Sequence, residues 1–234
     1  MALNKDIIKR ITCVTGHFGS GKTEFAINYA LELKKLNLDV LIIDFDIVNP
    51  YFRTKDAQSF LEANGIEVIS PEFANMNIEN PSLPPEVYSA FDDKSKYVVF
   101  DVGGDEDGAT ALGFYHNCFN QEDYDMFFVL NERRLLTQNV EDAEVIYQEI
   151  RQASRLNPTA IVSNTHLMQF TDLEVVEKGI ELAENFSKKV NLPIAYITVS
   201  KSVYEDISAS SKISKQYNDK LFPMDLFVGP GFNN

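Results

Sequence analysis

The stretch GHFGSGKT, residues 16–23, decides the fold class of this chain. Its spacing, G-x-x-x-x-G-K-[ST], is that of a loop whose backbone N–H groups curl around a phosphate. A strand pattern runs directly into Gly16, and a helical pattern begins at Lys22. The N-terminus of that helix adds partial positive charge at the same place. The stretch therefore predicts a phosphate-binding loop.

Each residue type in this loop suits phosphate chemistry. The glycines permit the backbone torsions and the close approach that such a loop requires. Lys22 supplies positive charge for the β- and γ-phosphates, and the Thr23 hydroxyl is a ligand for Mg²⁺. We therefore expect all eight residues to bind nucleotide: Gly16, His17, Phe18, Gly19, Ser20, Gly21, Lys22 and Thr23.

Short apolar runs alternate with longer helical patterns along the chain. The runs are continuously apolar, as expected of strands that are covered on both faces. We predict strands at 11–15, 40–44, 66–70, 97–100, 126–130, 159–163 and 194–199. This alternation predicts an α/β fold, a mostly parallel, doubly wound sheet with helices on both faces.

The helical patterns have recognisable ends. The first begins at Lys22 and stops near Asn37. A second fits 139–156, and a third fits 172–190, where Thr171 and Glu174 have the spacing of a capping box. The region 203–222 is polar and weakly periodic, and the proline-rich segment 71–85 predicts a loop or lid. We expect one domain over residues 1–234.

Composition and charge exclude several classes of function. The chain has 21 basic and 35 acidic residues, a formal net charge of −14, which disfavours a nucleic-acid surface and docking on anionic lipid. No apolar run reaches the roughly 18 residues of a membrane helix, and no signal peptide is apparent. We expect a cytoplasmic protein.

The cysteines and histidines form no metal-binding pattern. Cys13 and Cys118 are far apart, and the three histidines are scattered. We expect both thiols to be reduced and buried.

Two carboxylates follow predicted strands, at the sheet edge where α/β proteins bind their ligands. Asp44 ends the strand VLIID, and Asp101 follows YVVF. Together with Thr23 they predict a Mg²⁺ site, in which water completes the coordination. Gly104, shortly after Asp101, predicts a backbone N–H that reaches the γ-phosphate and can act as a switch.

These motifs resemble the MinD/ParA group of P-loop ATPases, within the larger class that includes signal-recognition GTPases. The resemblance covers roughly residues 8–205 and rests on four stretches: GHFGSGKT, LIIDFDIVNP (41–50), DVGG (101–104) and IVSN (161–164). It implies a three-layer α/β/α P-loop NTPase. By this resemblance Asp44 and Asp101 hold Mg²⁺ through water, Asp46 orients the attacking water and Asn164 contacts adenine.

The choice of base has a further argument. GTPases of the class that this chain resembles carry N-K-x-D, whose aspartate pairs with guanine. The corresponding residues here are Asn164-Thr165-His166-Leu167, and leucine accepts no hydrogen bond. ATP is therefore expected over GTP, with ADP as the product.

The chain departs from the group at the second lysine of the loop, where His17 stands. Histidine is shorter and mostly uncharged at neutral pH, so activation across a dimer does not follow from the resemblance. Arg53 is a candidate replacement for that charge, and a surface arginine is the equal alternative. The acidic run 105–107 is expected to be a solvated loop, with a partner or metal contact as the alternative. The C-terminus lacks the basic amphipathic helix that takes MinD to membranes.

Three functions remain open at the sequence level. The first is an ATP-dependent switch with slow Mg²⁺-dependent ATPase activity, a protein partner and a possible homodimer. The second is an amide-forming or carboxylate-activating ligase, because dethiobiotin synthetase and the cobyrinic acid amidases look similar around the same loop. The third is a nucleotide-binding scaffold without hydrolysis, which the missing lysine at position 17 leaves open.

Overall fold

The computed structural model describes residues 3, 5–46, 57–70, 84–167, 170–210 and 212–227. Its strands form a single eight-stranded sheet in the order β3-β2-β4-β1-β5-β6-β7-β8, and every neighbouring pair is parallel. The strands are β1 Ile11–Thr15, β2 Asp39–Phe45, β3 Glu67–Ile69, β4 Lys96–Val102, β5 Tyr124–Leu130, β6 Ala160–Ser163, β7 Ile194–Ser200 and β8 Leu221–Met224.

Helices connect these strands and cover both faces of the sheet. In chain order they are α1 Lys22–Lys35, α2 Gln58–Ala63, α3 Pro85–Asp92, α4 Asp105–Gly113, α5 His116–Phe119, α6 Val140–Ser154, α7 Leu173–Val190, α8 Lys201–Ser210 and α9 Lys212–Tyr217. A 3-10 turn, Leu135–Thr137, lies between β5 and α6. The predicted doubly wound architecture is confirmed.

Two hydrophobic clusters explain why the strands are apolar without alternation. In β2, Leu41 and Ile43 belong to the cluster that α3, α4, α6 and α7 cover, whereas Val40 and Ile42 belong to the cluster beneath α1 and α2. Successive side chains of a strand point to opposite faces, so a strand that is covered on both faces is apolar throughout.

The central strand β1 places the phosphate loop. It lies between β4 and β5, and β2 lies beyond β4. The carboxyl ends of parallel strands share one edge, so the segments that follow β1, β2, β4, β5 and β6 meet there. In open α/β sheets, ligands bind at the carboxyl edge, beside the strand at which the strand order reverses direction.

All seven predicted strands are present, with ends that shift by at most two residues. The predicted helices correspond to α1, α6 and α7, and the Asn139 side chain caps α6 by accepting a hydrogen bond from the Asp142 N–H. The predicted cap of α7 is wrong. Asp172, and not Thr171, accepts from the Val175 N–H, while the Thr171 hydroxyl accepts from the Leu167 N–H.

One other local prediction is also corrected. The acidic run 105–107 is not a loop but the first turn of α4. Acidic residues are common in the first turn of a helix, because the helix dipole is positive at that end. The region 203–222 contains most of α8, all of α9 and the first half of β8. Of the proline-rich segment, residues 71–83 lie outside the described residues, and α3 begins at Pro85.

The two cysteines differ in exposure. Both are free thiols, and Cys13 is fully buried within β1, as predicted. Cys118 is only partly buried, so the prediction for it is wrong in that respect. Cys13 is thus a core residue. Burial raises the pKa of its thiol well above the usual value, so the thiol is not a nucleophile.

Candidate nucleotide-binding site

The phosphate loop has the backbone shape of a phosphate cradle. Gly16, Gly19 and Gly21 all have positive φ, at 141°, 72° and 91°. Gly21 is the N-cap residue of α1, and α1 begins at Lys22. The loop therefore curls directly into the N-terminus of a 14-residue helix, whose first N–H groups point toward it.

Close packing also requires a residue without a Cβ atom at positions 16 and 21. A Cβ atom at Gly16 would lie 2.5 Å from the Val129 carbonyl oxygen, and one at Gly21 would lie 2.1 Å from the Asn164 Nδ2 atom. Neither position accepts a side chain without moving β5 or the segment after β6. The loop is thus fixed both by its backbone torsions and by its contacts with β5 and the segment after β6.

Lys22 and Thr23 occupy the first turn of α1 and are buried. The Lys22 Nζ atom lies 3.1 Å from the His17 carbonyl oxygen, so the ammonium group folds back across the loop. The Ser20 hydroxyl is fully buried and has no hydrogen-bond partner among the described residues. A cradle of backbone N–H groups, a buried cation and an unsatisfied hydroxyl together fit a phosphate group.

Two of the three predicted metal ligands lie side by side. Asp44 and Asp101 are register partners of β2 and β4, and both are buried. They lie at the carboxyl edge, next to the strand that carries the phosphate loop. With the Thr23 hydroxyl they supply oxygen donors of the kind that Mg²⁺ prefers. Among the described residues, no group of three or more His, Cys, Asp or Glu side chains is placed to hold a metal ion.

Asp46 directly follows β2 and contacts the segment after β4. Its backbone N–H donates to the Asp44 carboxylate at 3.3 Å. A Cβ atom at Gly103 would lie 2.8 Å from the Asp46 Oδ1 atom, so the carboxylate lies directly against the Gly103 backbone. A Cβ atom at Gly104 would similarly lie 2.8 Å from the Phe18 Cα atom. The Gly103–Gly104 turn therefore contacts Asp46 on one side and the phosphate loop on the other.

Asn164 is bound to the phosphate loop from the other side. Its Nδ2 atom donates to the Ser20 carbonyl oxygen at 2.7 Å, and its Oδ1 atom accepts from the Thr198 hydroxyl. Both polar atoms of this buried side chain are therefore engaged within the fold. The adjacent cavity is lined by Asn164, Thr165, His166, Thr198, Val199 and Leu226, among others.

Sequence reasoning missed two side chains of the site. The Arg134 Nε atom donates to the Gly19 carbonyl oxygen at 2.6 Å. The His166 Nε2 atom lies 3.3 Å from the position of a Cβ atom at Gly21. Burial, with a contribution from the charge of Arg134, lowers the His166 pKa, so the ring is neutral at pH 7. In the sequence, only their position indicates that they belong to the site, because each follows the end of a strand at this edge of the sheet.

Several predicted features lie outside the described residues. These are Arg53, residues 47–50 of the second resembling stretch and the C-terminal residues 228–234. The described residues contain no helix that combines the length and the hydropathy needed to cross a membrane.

Comparison with known proteins places the fold. No family model matches the chain, and no curated protein does so either. Among solved structures, FtsY from Thermotoga maritima is 15% identical with a TM-score of 0.55, and the match covers 85% of this chain and 64% of that one. FtsY from Elizabethkingia anophelis in complex with GDP is 20% identical with a TM-score of 0.56, covering 84% and 59%.

Chloroplast FtsY from Physcomitrella patens matches similarly, at 14% identity and a TM-score of 0.54, covering 84% of this chain and 59% of that chain. The chain has a P-loop NTPase fold. Identities this low establish the fold and nothing finer, so they do not single out the MinD/ParA group within the class. The chain also spans only about three fifths of the length of these FtsY structures.

Proposed function

We propose that this protein is a MinD/ParA-like ATP-binding switch with slow Mg²⁺-dependent ATPase activity, which uses its nucleotide state to control a protein partner. The observation that carries the proposal is the contact of three segments: the phosphate loop, Asp46 and the Gly103–Gly104 turn. Proteins that sense a γ-phosphate need their nucleotide loop and their switch segments at one place.

In this proposal each residue has a defined part. Lys22 and the N-terminus of α1 hold the β- and γ-phosphates, while Thr23, Asp44 and Asp101 hold Mg²⁺, which neutralises phosphate charge when bound. Asp46 orients a water molecule whose oxygen attacks the γ-phosphorus, as the bond from that phosphorus to the bridging oxygen of ADP breaks. The proton of the water passes to the Asp46 carboxylate and then to solvent.

The helix α4 links this chemistry to a surface. It begins at Asp105, directly after Gly104, and it packs closely on α6, because a Cβ atom at Gly113 would lie 2.4 Å from the Ala153 carbonyl oxygen. A bond from the Gly104 N–H to the γ-phosphate would fix the start of α4, and hydrolysis would release it. The α4 surface is therefore a candidate for the partner contact, in a monomer or in a homodimer.

Adenine is preferred in this proposal because of Leu167. This residue stands where GTPases of the class place the aspartate that pairs with guanine, and a leucine side chain cannot accept those hydrogen bonds. The GDP that is bound to FtsY from Elizabethkingia anophelis is a property of that protein. We therefore expect tighter binding of ATP than of GTP.

Calorimetry and a phosphate-release assay test the proposal together. Lys22→Ala is expected to weaken ATP binding by roughly 100-fold, since it removes a buried cation, whereas Lys35→Ala at the far end of α1 should change nothing. Asp46→Asn is expected to keep ATP binding and to slow phosphate release on the order of 100-fold. Asp39→Asn, at the opposite end of β2, is its matched control.

The other functions give different results in the same assays. Release that requires a carboxylic acid and an ammonia source identifies a ligase, and tight ATP binding without release identifies a scaffold. Wild-type protein that binds neither ATP nor ADP contradicts the proposal altogether. Removal of Mg²⁺ by chelation is expected to stop phosphate release.

A further inference from the structure

Arg134 has a contact that the proposed chemistry does not use. It lies in the connection between β5 and α6, at the start of the 3-10 turn, and its side chain is solvent-exposed. Its Nε atom donates to the Gly19 carbonyl oxygen across 115 residues of sequence. Beyond this bond, no hydrogen bond or ion pair of the guanidinium group is found within the described part of the chain. The two terminal NH₂ groups thus remain available beside the phosphate loop.

The backbone that carries Arg134 is braced. The Asn131 carbonyl oxygen accepts from the Thr137 hydroxyl at 2.7 Å and from the Arg134 N–H at 3.1 Å. The Asn131 side chain accepts from the Arg133 N–H at 3.0 Å, and the Thr165 hydroxyl accepts from the Glu132 N–H at 3.0 Å. Three of these bonds hold residues 131–137 together, and the fourth joins them to Thr165 in the segment after β6. The position of Arg134 is therefore set by the fold.

The neighbours of Arg134 identify the end of the nucleotide that it faces. The γ-phosphate side of the loop is marked by Phe18 against Gly104 and by the carboxylates of β2 and β4. Arg134 is instead bonded to the loop at Gly19, and its charge acts on His166. His166 lies beside Gly21 of the same loop and lines the adjacent cavity together with Asn164. Arg134 therefore belongs to the nucleoside end of the site.

We propose that Arg134 is a nucleotide-binding residue whose guanidinium plane stacks on the face of the nucleobase, while its Nε atom holds the phosphate loop at Gly19. A planar, delocalised cation suits an aromatic face better than an ammonium group does. Stacking reads no base edge, so Arg134 contributes affinity for adenine and guanine alike. The inference rests on the proposed nucleotide binding, and it names one residue that contributes to that binding.

The substitution Arg134→Lys separates the two contacts. A lysine still reaches the Gly19 carbonyl oxygen but cannot stack as a plane. Calorimetry with Mg²⁺ present would compare two probes, ADP and inorganic pyrophosphate, because pyrophosphate has no base. Arg134→Lys is expected to weaken ADP binding about fivefold or more and to leave pyrophosphate binding within about twofold. Arg151→Gln, which removes one positive charge at the far end of α6, should change neither.

Three results would overturn the inference. If Arg134→Lys and Arg134→Ala both bind ADP as tightly as the wild type, then Arg134 does not contribute to nucleotide binding. Equal losses for ADP and pyrophosphate in Arg134→Lys mean that the residue acts through the phosphates or the loop and not through the base. A wild-type protein that binds neither probe removes the proposed function as well, so the two failures are distinguishable. Thermal unfolding of each variant confirms that the fold is retained.

Discussion

At the scale of single residues, Gly21 combines two requirements that are usually separate. Its backbone is left-handed, with φ of 91°, and its Cα faces the Asn164 amide at a distance that admits no Cβ atom. The first requirement shapes the phosphate loop, and the second lets Asn164 reach the Ser20 carbonyl oxygen. A change at Gly21 therefore disturbs both the loop and the support beneath it.

We predict that Gly21→Ala lowers the free energy of unfolding by about 2 kcal/mol and weakens ADP binding more than about tenfold, measured by chemical denaturation and calorimetry. Gly65→Ala is the matched control, because Gly65 also has positive φ, at 73°, but contacts only the end of the Lys34 side chain. It should cost about 1 kcal/mol and leave ADP binding unchanged. Equal losses of affinity in both variants would contradict this account.

The residues of the site differ in how far the sequence reveals them. Lys22 and Thr23 follow from one contiguous motif, and Asp44 and Asp101 follow from strand ends that the parallel register then brings together. The bonds of Arg134 to Gly19 and of Asn164 to Ser20 span 115 and 144 residues, and no local pattern encodes them. The sequence alone thus predicts the loop and the strand-end carboxylates better than the long-range contacts that support the loop.

At the scale of elements, the start of α7 shows how a capping signal misleads by one residue. Thr171 and Glu174 have capping-box spacing, yet Asp172 makes the capping bond at 2.9 Å. Thr171 instead accepts from the Leu167 N–H and closes the loop before the helix. Two adjacent residues are both good caps, and the fold of the preceding loop decides between them.

We predict that Asp172→Ala destabilises the protein by about 1 kcal/mol, because the first turn of α7 loses its side-chain acceptor. Asp172→Asn retains that acceptor and should change the free energy of unfolding by only a few tenths of a kcal/mol. Denaturant titration measures both variants. A larger loss in Thr171→Ala than in Asp172→Ala would place the cap at Thr171 after all.

The missed strand β8 has a physical reason. Its sequence is Leu-Phe-Pro-Met, and a proline within an apolar run argues against a strand because it cannot donate to the ladder. Among the described residues β8 pairs with β7 alone, at the edge of the sheet, where a proline is tolerated. The seven predicted strands are mostly apolar runs without proline, so their pattern sufficed without knowledge of the sheet order.

At the scale of the whole molecule, the phosphate-loop helix is joined to the segment after β8. Asn28 of α1 exchanges two hydrogen bonds of 2.9 Å with the backbone of Asp225. The Glu24 carboxylate accepts from the Phe227 N–H at 2.9 Å and 3.1 Å, and the Phe227 ring packs on Phe60 of α2. Residues 225–227 therefore fix α1 beside the last strand.

We predict that Asn28→Ala lowers the free energy of unfolding by about 1–3 kcal/mol, since it leaves the N–H and C=O groups of Asp225 without their partner. Asn64→Ala removes an exposed bond within α2 and should cost less than about 0.5 kcal/mol. Denaturation by urea compares the two. Similar costs would mean that residues 225–227 contribute little to holding α1.

This junction also sets an order of events during synthesis. The phosphate loop and α1 are made early, but the partners of Glu24 and Asn28 are made about 200 residues later. Until residues 225–227 leave the ribosome, the two buried polar side chains of α1 lack the backbone groups that they bind in the finished fold. We expect nascent chains that end before Asp225 to hold nucleotide weakly, so that stable nucleotide loading follows the synthesis of residues 225–227.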